Sequence, residues 1–262
     1  MTILERHDSN GIATFHLNAP DRLNALSDAM LAALQAEIDS LRDDRETRVV
    51  ILAGRGKAFC AGHDLREMTA GRQAEDGGQT YFADLFARCT EVMLGLQKIP
   101  QPVIAQVHGI ATAAGCQLVA SCDMAVAAEG TRFGVNGVNI GLFCSTPMVA
   151  LTRNISRKHA FEMLTTGEFI NAARAEELGL INRIAAPEDL EQTTKALAQT
   201  VAGKLDAAVK IGKRAFYDQL QLPTADAYAH TGAVMVENLM LRDTVEGIDA
   251  FLEKRDPDWK NR

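Results

Sequence analysis

Apolar and polar residues alternate from the start of the chain. Ile3–His7 and Ile12–Leu17 read as strands, and the Asn10-Gly11 pair between them closes a tight hairpin. The period then lengthens. From Asn24 to Leu41 the residues Met30, Leu31, Leu34 and Ile38 recur at helical spacing, with Ser27 placed to cap them. Val49-Val50-Ile51-Leu52 is an unbroken apolar run ending at Gly54, which predicts a buried strand. Glu67 to Gln79 is polar and holds Gly71, Gly77 and Gly78, the pattern of a mobile surface loop. Tyr81 to Leu96 returns to helical spacing and stops before Pro100 and Pro102.

Val103–Val107 then predicts a strand, Ala114–Ser121 a short apolar helix and Met124–Ala127 another strand. Such strand–turn–helix–strand units stack into a layered α/β core. Beyond Ser145 the pattern is helical at Pro147–Thr152, Lys158–Thr165, Ala172–Leu178, Glu188–Ala202, Ala207–Gln219, Ala225–Met240 and Thr244–Lys254; only Leu180–Ile184 reads as extended. The chain divides on this reading into an α/β core over residues 1–200 and a helical region over 201–262. In that tail Ala233, Val234, Val236, Leu239 and Met240 are many apolar residues for a lone surface helix. They predict either self-association or packing against the chain's own core.

Composition narrows the classes. The 262 residues are 47% apolar and 23% charged, with a net charge of −7. No basic stripe is visible, which argues against nucleic acid as a partner. The five cysteines are scattered without a Cys-x-x-Cys pair, so Cys60, Cys116, Cys122 and Cys144 read as reduced, buried small hydrophobes, not metal ligands. The longest apolar stretch, Val103 to Ala128, is interrupted by Gln106, His108, Gln117 and Asp123; it predicts a buried core, not a membrane span. The N-terminus starts directly in strand-like sequence with no signal or transit pattern, and the expected setting is cytoplasmic.

Two stretches carry the candidate chemistry, Ala58-Phe59-Cys60-Ala61-Gly62-His63-Asp64 and His108 through Gln117. Each puts small residues where a strand gives way to a turn or helix, leaving backbone N–H groups uncovered. Two such groups aimed at one point polarise a carbonyl and stabilise an enolate or tetrahedral oxyanion. The glycines near Lys57 lack phosphate-loop spacing, and Gly109 to Gly115 lacks the dinucleotide fingerprint, so redox cofactors are not indicated.

In their order these motifs resemble the enoyl-CoA hydratase/isomerase (crotonase) superfamily over nearly the whole chain. Asp21-Arg22-Leu23-Asn24-Ala25-Leu26 is similar to its first CoA-contacting loop, and Lys57 to Leu65 to its first oxyanion-hole segment. Gln101 through Gly109 and on to Asp123 is similar to the second. Thr166 to Ala172 and Ala175 to Asn182 resemble its characteristic later segment. The resemblance implies an α/β spiral of ββα units followed by a helical C-terminal region, assembled as trimers or dimers of trimers. It implies an acyl-CoA thioester as ligand, with no cofactor beyond the coenzyme A of the substrate. The N–H groups of Ala61 and Ala114 would hold the thioester oxygen, the latter opening a helix whose dipole adds positive charge. Arg22, Lys57 and Lys254 would contact CoA phosphates or stand as solvated charges, with Gly62 and His63 beside the ligand. Asp64 reads as a turn and capping residue before it reads as a catalyst.

The chain departs from the resemblance at the proton carriers. Hydration of a 2-enoyl-CoA uses two glutamates, and alignment places the first at Gln117 and the second at Gly137. Gln117 is neutral and Gly137 has no side chain, so neither position carries a proton. Thioester binding and polarisation are therefore expected to survive while efficient hydration does not. Other groups on these segments remain open. His63 stands either as a titrating group at the pocket mouth or as a bonded turn histidine. Asn136, Asn139, Cys144 and Ser145 line the acyl end or satisfy a turn; Glu67 and Asp84 flank the polar loop. Three readings follow: an acyl-CoA-binding crotonase, nominally an enoyl-CoA hydratase/isomerase, whose own reaction is feeble or of another kind such as decarboxylation or thioester hydrolysis; a catalytically silent acyl-CoA-binding or assembly protein; and a hydrolase using Cys144 or Ser145.

Overall fold

The computed structural model describes residues 2–260. β1 (Leu4–Ser9) pairs antiparallel with β2 (Ile12–Leu17), and Asn10 and Gly11 take φ of +52° and +74° in the turn between them. Seven further strands follow: β3 (Val49–Gly54), β4 (Val103–Val107), β5 (Ile110–Thr112), β6 (Met124–Ala128), β7 (Arg132–Gly134), β8 (Ile170–Asn171) and β9 (Arg183–Ala185). Six of the nine form one sheet in the order β1-β2-β3-β4-β6-β9, parallel from β2 onward. The other three form a small sheet in the order β5-β7-β8.

Central strands of the large sheet are buried on both faces, which is why their sequence is continuously apolar. Alternate side chains serve two cores. Val50, Leu52, Val103 and Ala105 face one, together with residues of α1 (Asp28–Leu41), α3 (Gln79–Lys98) and α4 (Ala114–Ser121). Val49, Ile51, Ile104 and Val126 face the other, closed by Leu190, Leu197 and Ala198 of α8 (Leu190–Ala202). Each of these large side chains contributes about 1.5–3 kcal/mol by leaving water.

Two local expectations are corrected. The first helix begins at Asp28, not Asn24, with the Ser27 hydroxyl accepting from the Met30 N–H at 3.2 Å. Asn24 instead takes φ of +53° and staples loops together: its amide accepts from the Ala19 N–H at 2.9 Å and donates to the Arg55 and Ala58 carbonyls, both at 2.8 Å. The polar stretch expected as a loop contains α2 (Leu65–Gly71). Asp64 makes it helical by accepting from the Arg66 and Glu67 N–H groups at 2.9 and 3.4 Å. The short strands β5, β7 and β8 are additions to the sequence reading, and the run at Leu180–Ile184 is extended only over β9.

The two sheets and their helices form the α/β part of the chain, and further helices follow. α5 (Ser145–Leu151), α6 (Arg157–Thr166) and α7 (Ala172–Leu178) precede β9, and α9 (Asp206–Gln219), α10 (Thr224–Leu239) and α11 (Arg242–Glu253) end the chain. α9 is anchored from inside. The Lys213 ammonium donates to the Leu96 and Gln101 carbonyls and pairs with Asp123 at 2.7 Å, while the Tyr217 hydroxyl donates to the same carboxylate at 2.7 Å. α10 buries none of its residues and leaves Met235, Val236 and Leu239 exposed, followed by Met240; on α11 Phe251 and Leu252 are exposed as well.

Candidate active site

Three chain segments run side by side at the start of α4. The Cys60 N–H donates to the Ile110 carbonyl at 3.2 Å, and the Thr112 N–H donates back to Cys60 at 3.1 Å. The Ala113 N–H donates to the Gly134 carbonyl at 2.9 Å, and the Thr112 hydroxyl to Asn136 Oδ1 at 2.5 Å. Small residues are required where these segments touch. A Cβ on Gly115 would stand 2.2 Å from the Cys60 carbonyl oxygen. One on Gly62, whose φ is +89°, would stand 3.0 Å from Ala113 Cβ and 3.3 Å from the Ala114 nitrogen. Ala113 itself has φ of +49°, a conformation that costs an alanine about 1–3 kcal/mol and sets the direction of the Ala114 N–H.

The amides of this junction differ from expectation at one position. The Ala61 N–H is already bonded to the Leu23 carbonyl at 3.0 Å, so Ala61 does not offer a donor to a ligand. The Leu26 N–H donates to the Gly62 carbonyl at 2.8 Å, and because that peptide is trans its other polar group, the His63 N–H, points away from Leu26. The His63 N–H finds no acceptor among the described residues. Nor does the Ala114 N–H, which as the first residue of α4 has no partner within its helix. Motif resemblance alone locates the segment; the bond from Ala61 to the Leu23 carbonyl shows which amide is occupied.

Charged residues around the junction are largely committed. Asp64 caps α2 and pairs with Arg22 at 2.9 Å; burial raises its pKa, but the Arg66 and Glu67 N–H groups and Arg22 outweigh it and hold the carboxyl below its ordinary range. Arg22 is therefore not a free cation. Glu67 accepts from the Asp28 N–H at 2.7 Å, which ties α2 to the start of α1, and Asp84 pairs with Arg88 at 2.6 Å. Neither is a loose group beside the cleft. Lys57 is exposed in the loop before Ala58. Lys254 ends α11, which packs on α10, and its side chain makes no hydrogen bond or ion pair to the junction among the described residues.

Gln117 is buried one turn into α4, with its Oε1 lacking a partner among the described residues. It lines a cavity of about 1050 Å³ between α3, α4, α5 and α9. Gly137 is also buried, and its place is closed: a Cβ there would stand 2.3 Å from the Leu142 carbonyl oxygen and 2.9 Å from Cys144 Sγ. Asn139 donates to the Gly167 carbonyl at 3.4 Å. Burial pushes the Cys144 thiol up, so it is neutral at pH 7, and the Ser145 hydroxyl donates to the Phe143 carbonyl at 3.4 Å. Neither has the adjacent base that a nucleophile needs. Cys60 and Cys116 are pushed up to about 12 by burial, as inert core thiols are. Among the described residues no cluster of His, Cys, Asp and Glu is arranged to hold a metal, and no helix is long and apolar enough to cross a membrane.

The fold is that of a crotonase. The family model for enoyl-CoA hydratase/isomerase matches residues 7–262, and the chain belongs to that family. It is 46% identical over 252 residues to the human protein named enoyl-CoA hydratase domain-containing protein 3, mitochondrial, covering 96% of this chain and 82% of that one. A crystal structure described as enoyl-CoA hydratase from Mycobacterium smegmatis superposes with a TM-score of 0.94 at 53% identity, covering 98% of both chains. That of the human domain-containing protein 3 superposes at 0.93, with 44% identity, covering 98% of this chain and all of that one. The cytoplasmic setting expected from the sequence is corrected by these relatives. The human, Xenopus laevis and rat proteins, at 44–46% identity, are all named as mitochondrial.

Proposed function

We propose that this chain binds an acyl-CoA thioester with its carbonyl oxygen between the His63 and Ala114 N–H groups, and polarises it without performing efficient hydration. The observation that carries the reading is the pair of amides without acceptors on two segments held together by Gly62 and Gly115. A donor of this kind contributes about 10²–10³-fold where charge develops on the oxygen. Gln117 and Gly137 stand where the hydratases carry glutamates, and each missing acid–base group removes about 10²–10⁴-fold. Enolate-forming chemistry that needs no strong base, such as decarboxylation of a malonyl-type thioester, fits this site better than hydration. Coenzyme A enters as part of the ligand, and no other cofactor is called for. The exposed apolar faces of α10 and α11 support self-association as a trimer or dimer of trimers.

The test compares two ligands on the unaltered protein by calorimetry. Butyryl-CoA and its thioether analogue S-butyl-CoA differ in the carbonyl oxygen. Tighter binding of the thioester by about tenfold or more is expected; equal affinities overturn the carbonyl contact. Turnover of crotonyl-CoA at the rate of a glutamate-bearing hydratase, measured in parallel, overturns the second half of the proposal.

A further inference from the structure

Thr112 is the residue at which the three segments of the site meet. Its N–H donates to the Cys60 carbonyl at 3.1 Å on one side, and its hydroxyl donates to Asn136 Oδ1 at 2.5 Å on the other. It is the last residue of β5, paired in register with Gly134 at the end of β7. Strand pairing stops there, so the side-chain bond carries the tie past the strand ends to Asn136 and its neighbour Gly137. The residue after Thr112 is the strained one. Ala113 holds φ of +49° and ψ of −120°, and such a conformation persists only where its surroundings over-determine it.

Both peptide groups flanking Ala113 are held. The one before it donates its N–H to the Gly134 carbonyl at 2.9 Å. The one after it accepts from the Gln117 N–H at 3.0 Å through the Ala113 carbonyl. In a trans peptide the N–H and C=O point opposite ways, so that bonded carbonyl turns the Ala114 N–H out of the end of α4. We infer that the Thr112 hydroxyl, by holding Asn136, fixes the 134–136 segment against this turn and so aims the Ala114 amide at the thioester oxygen. This rests on the acyl-CoA reading above. Thr112 is a positioning residue, acting through Ala113 and Ala114. Without its hydroxyl, Ala113 relaxes toward an ordinary alanine conformation and the Ala114 N–H swings off line. Hydrogen bonds weaken steeply with misalignment, so the carbonyl loses its polarising contact while the rest of the ligand stays bound.

Thr112→Val keeps the branched Cβ that suits a strand and removes only the hydroxyl. Calorimetry with butyryl-CoA and S-butyl-CoA is expected to show the advantage of the thioester over the thioether falling at least about threefold, with thioether affinity unchanged. Thr112→Ser returns the hydroxyl and should return the advantage. Asn136→Ala removes the same bond from its other end and should reproduce the loss, with nothing further lost when the two changes are combined. Infrared spectra of butyryl-CoA ¹³C-labelled at the carbonyl separate positioning from stability. The bound carbonyl stretch should lie below that of the free ligand in the unaltered protein and in Thr112→Ser, and return toward the free value in Thr112→Val. An unchanged advantage or an unchanged stretch in Thr112→Val, a serine variant that behaves like the valine one, or additive losses in the double variant overturn the inference while leaving the carbonyl contact intact. Equal affinities for the two ligands in the unaltered protein overturn the contact itself, and this inference with it.

Discussion

Gly115 on α4 lies so close to Cys60 that a Cβ would stand 2.2 Å from the Cys60 carbonyl oxygen. That contact fixes the Ala114 amide relative to the 60–63 segment. The variant Gly115→Ala is expected to force the two apart, lowering stability by about 1–3 kcal/mol and weakening thioester binding more than the fold. Gly212, on α9, is the internal comparison, since nothing lies within 4 Å of its Cβ position. Gly212→Ala should instead raise stability by about 0.5–1 kcal/mol. Denaturant midpoints and butyryl-CoA calorimetry on both variants check the contrast.

Hydration is not restored by simply returning the carboxylates. At Gly137 the Leu142 carbonyl and the Cys144 thiol occupy the space a side chain would need, so the segment around residue 137 has closed over the position. Gln117→Glu with Gly137→Glu is expected to hydrate crotonyl-CoA no better than Gln117→Glu alone, and to be less stable by about 1–3 kcal/mol. A folded double variant with strong hydratase turnover would show that this segment moves aside readily.

Histidine burial makes stability depend on pH near neutrality. His63 and His16 are both held below the ordinary value of 6.5, chiefly by desolvation. The unfolded chain therefore binds more protons than the folded one once pH falls below about 6.5. The contribution is full above 6.5 and declines as pH drops toward the folded values. Thermal midpoints between pH 7.5 and 5 should fall on the acid side, and His63→Phe should flatten that fall while leaving the part due to His16. An identical profile in the variant would remove His63 as a cause.

Much of this was legible in local pattern, and the failures have physical reasons. The hairpin, β3, β4 and α4 follow from periodicity and turn chemistry that neighbouring residues decide among themselves. α2 was hidden because only Met68 of its seven residues is buried, so no apolar stripe marks it; the Asp64 cap makes the helix. β5, β7 and β8 span three residues or fewer, and pairing partners distant in sequence define them. The candidate site was legible as two segments and illegible as individual amides. Which N–H is occupied depends on the Leu23 carbonyl, a partner that no motif displays.

The anchor of α9 tests how the helical tail is held. Lys213→Met removes the only ion-pair partner of Asp123 among the described residues while leaving that carboxylate bonded to the Val103 N–H and Tyr217, and it orphans the Leu96 and Gln101 carbonyls. Breaking a buried pair from one side costs about 3–5 kcal/mol. Hydrogen exchange should show α9 losing protection before β3 and β4. Uniform loss throughout the chain would mean that the tail and the sheet unfold as one unit.

Beyond that anchor the tail presents Met240 and Phe251 at 79% and 82% exposure, and other apolar residues of α10 and α11 are exposed as well. A single copy has nothing to bury them against, and exposure of this kind marks an association surface. Because both side chains already face outward, Met240→Glu with Phe251→Glu should leave the thermal midpoint of the core within a few degrees while opposing contact between copies. Sedimentation is expected to place the unaltered protein at a multiple of 28.4 kDa and to move the double variant toward 28.4 kDa. A protein that already sediments as one copy at micromolar concentration has no such surface, and the apolar residues of α10 and α11 would then need a different partner.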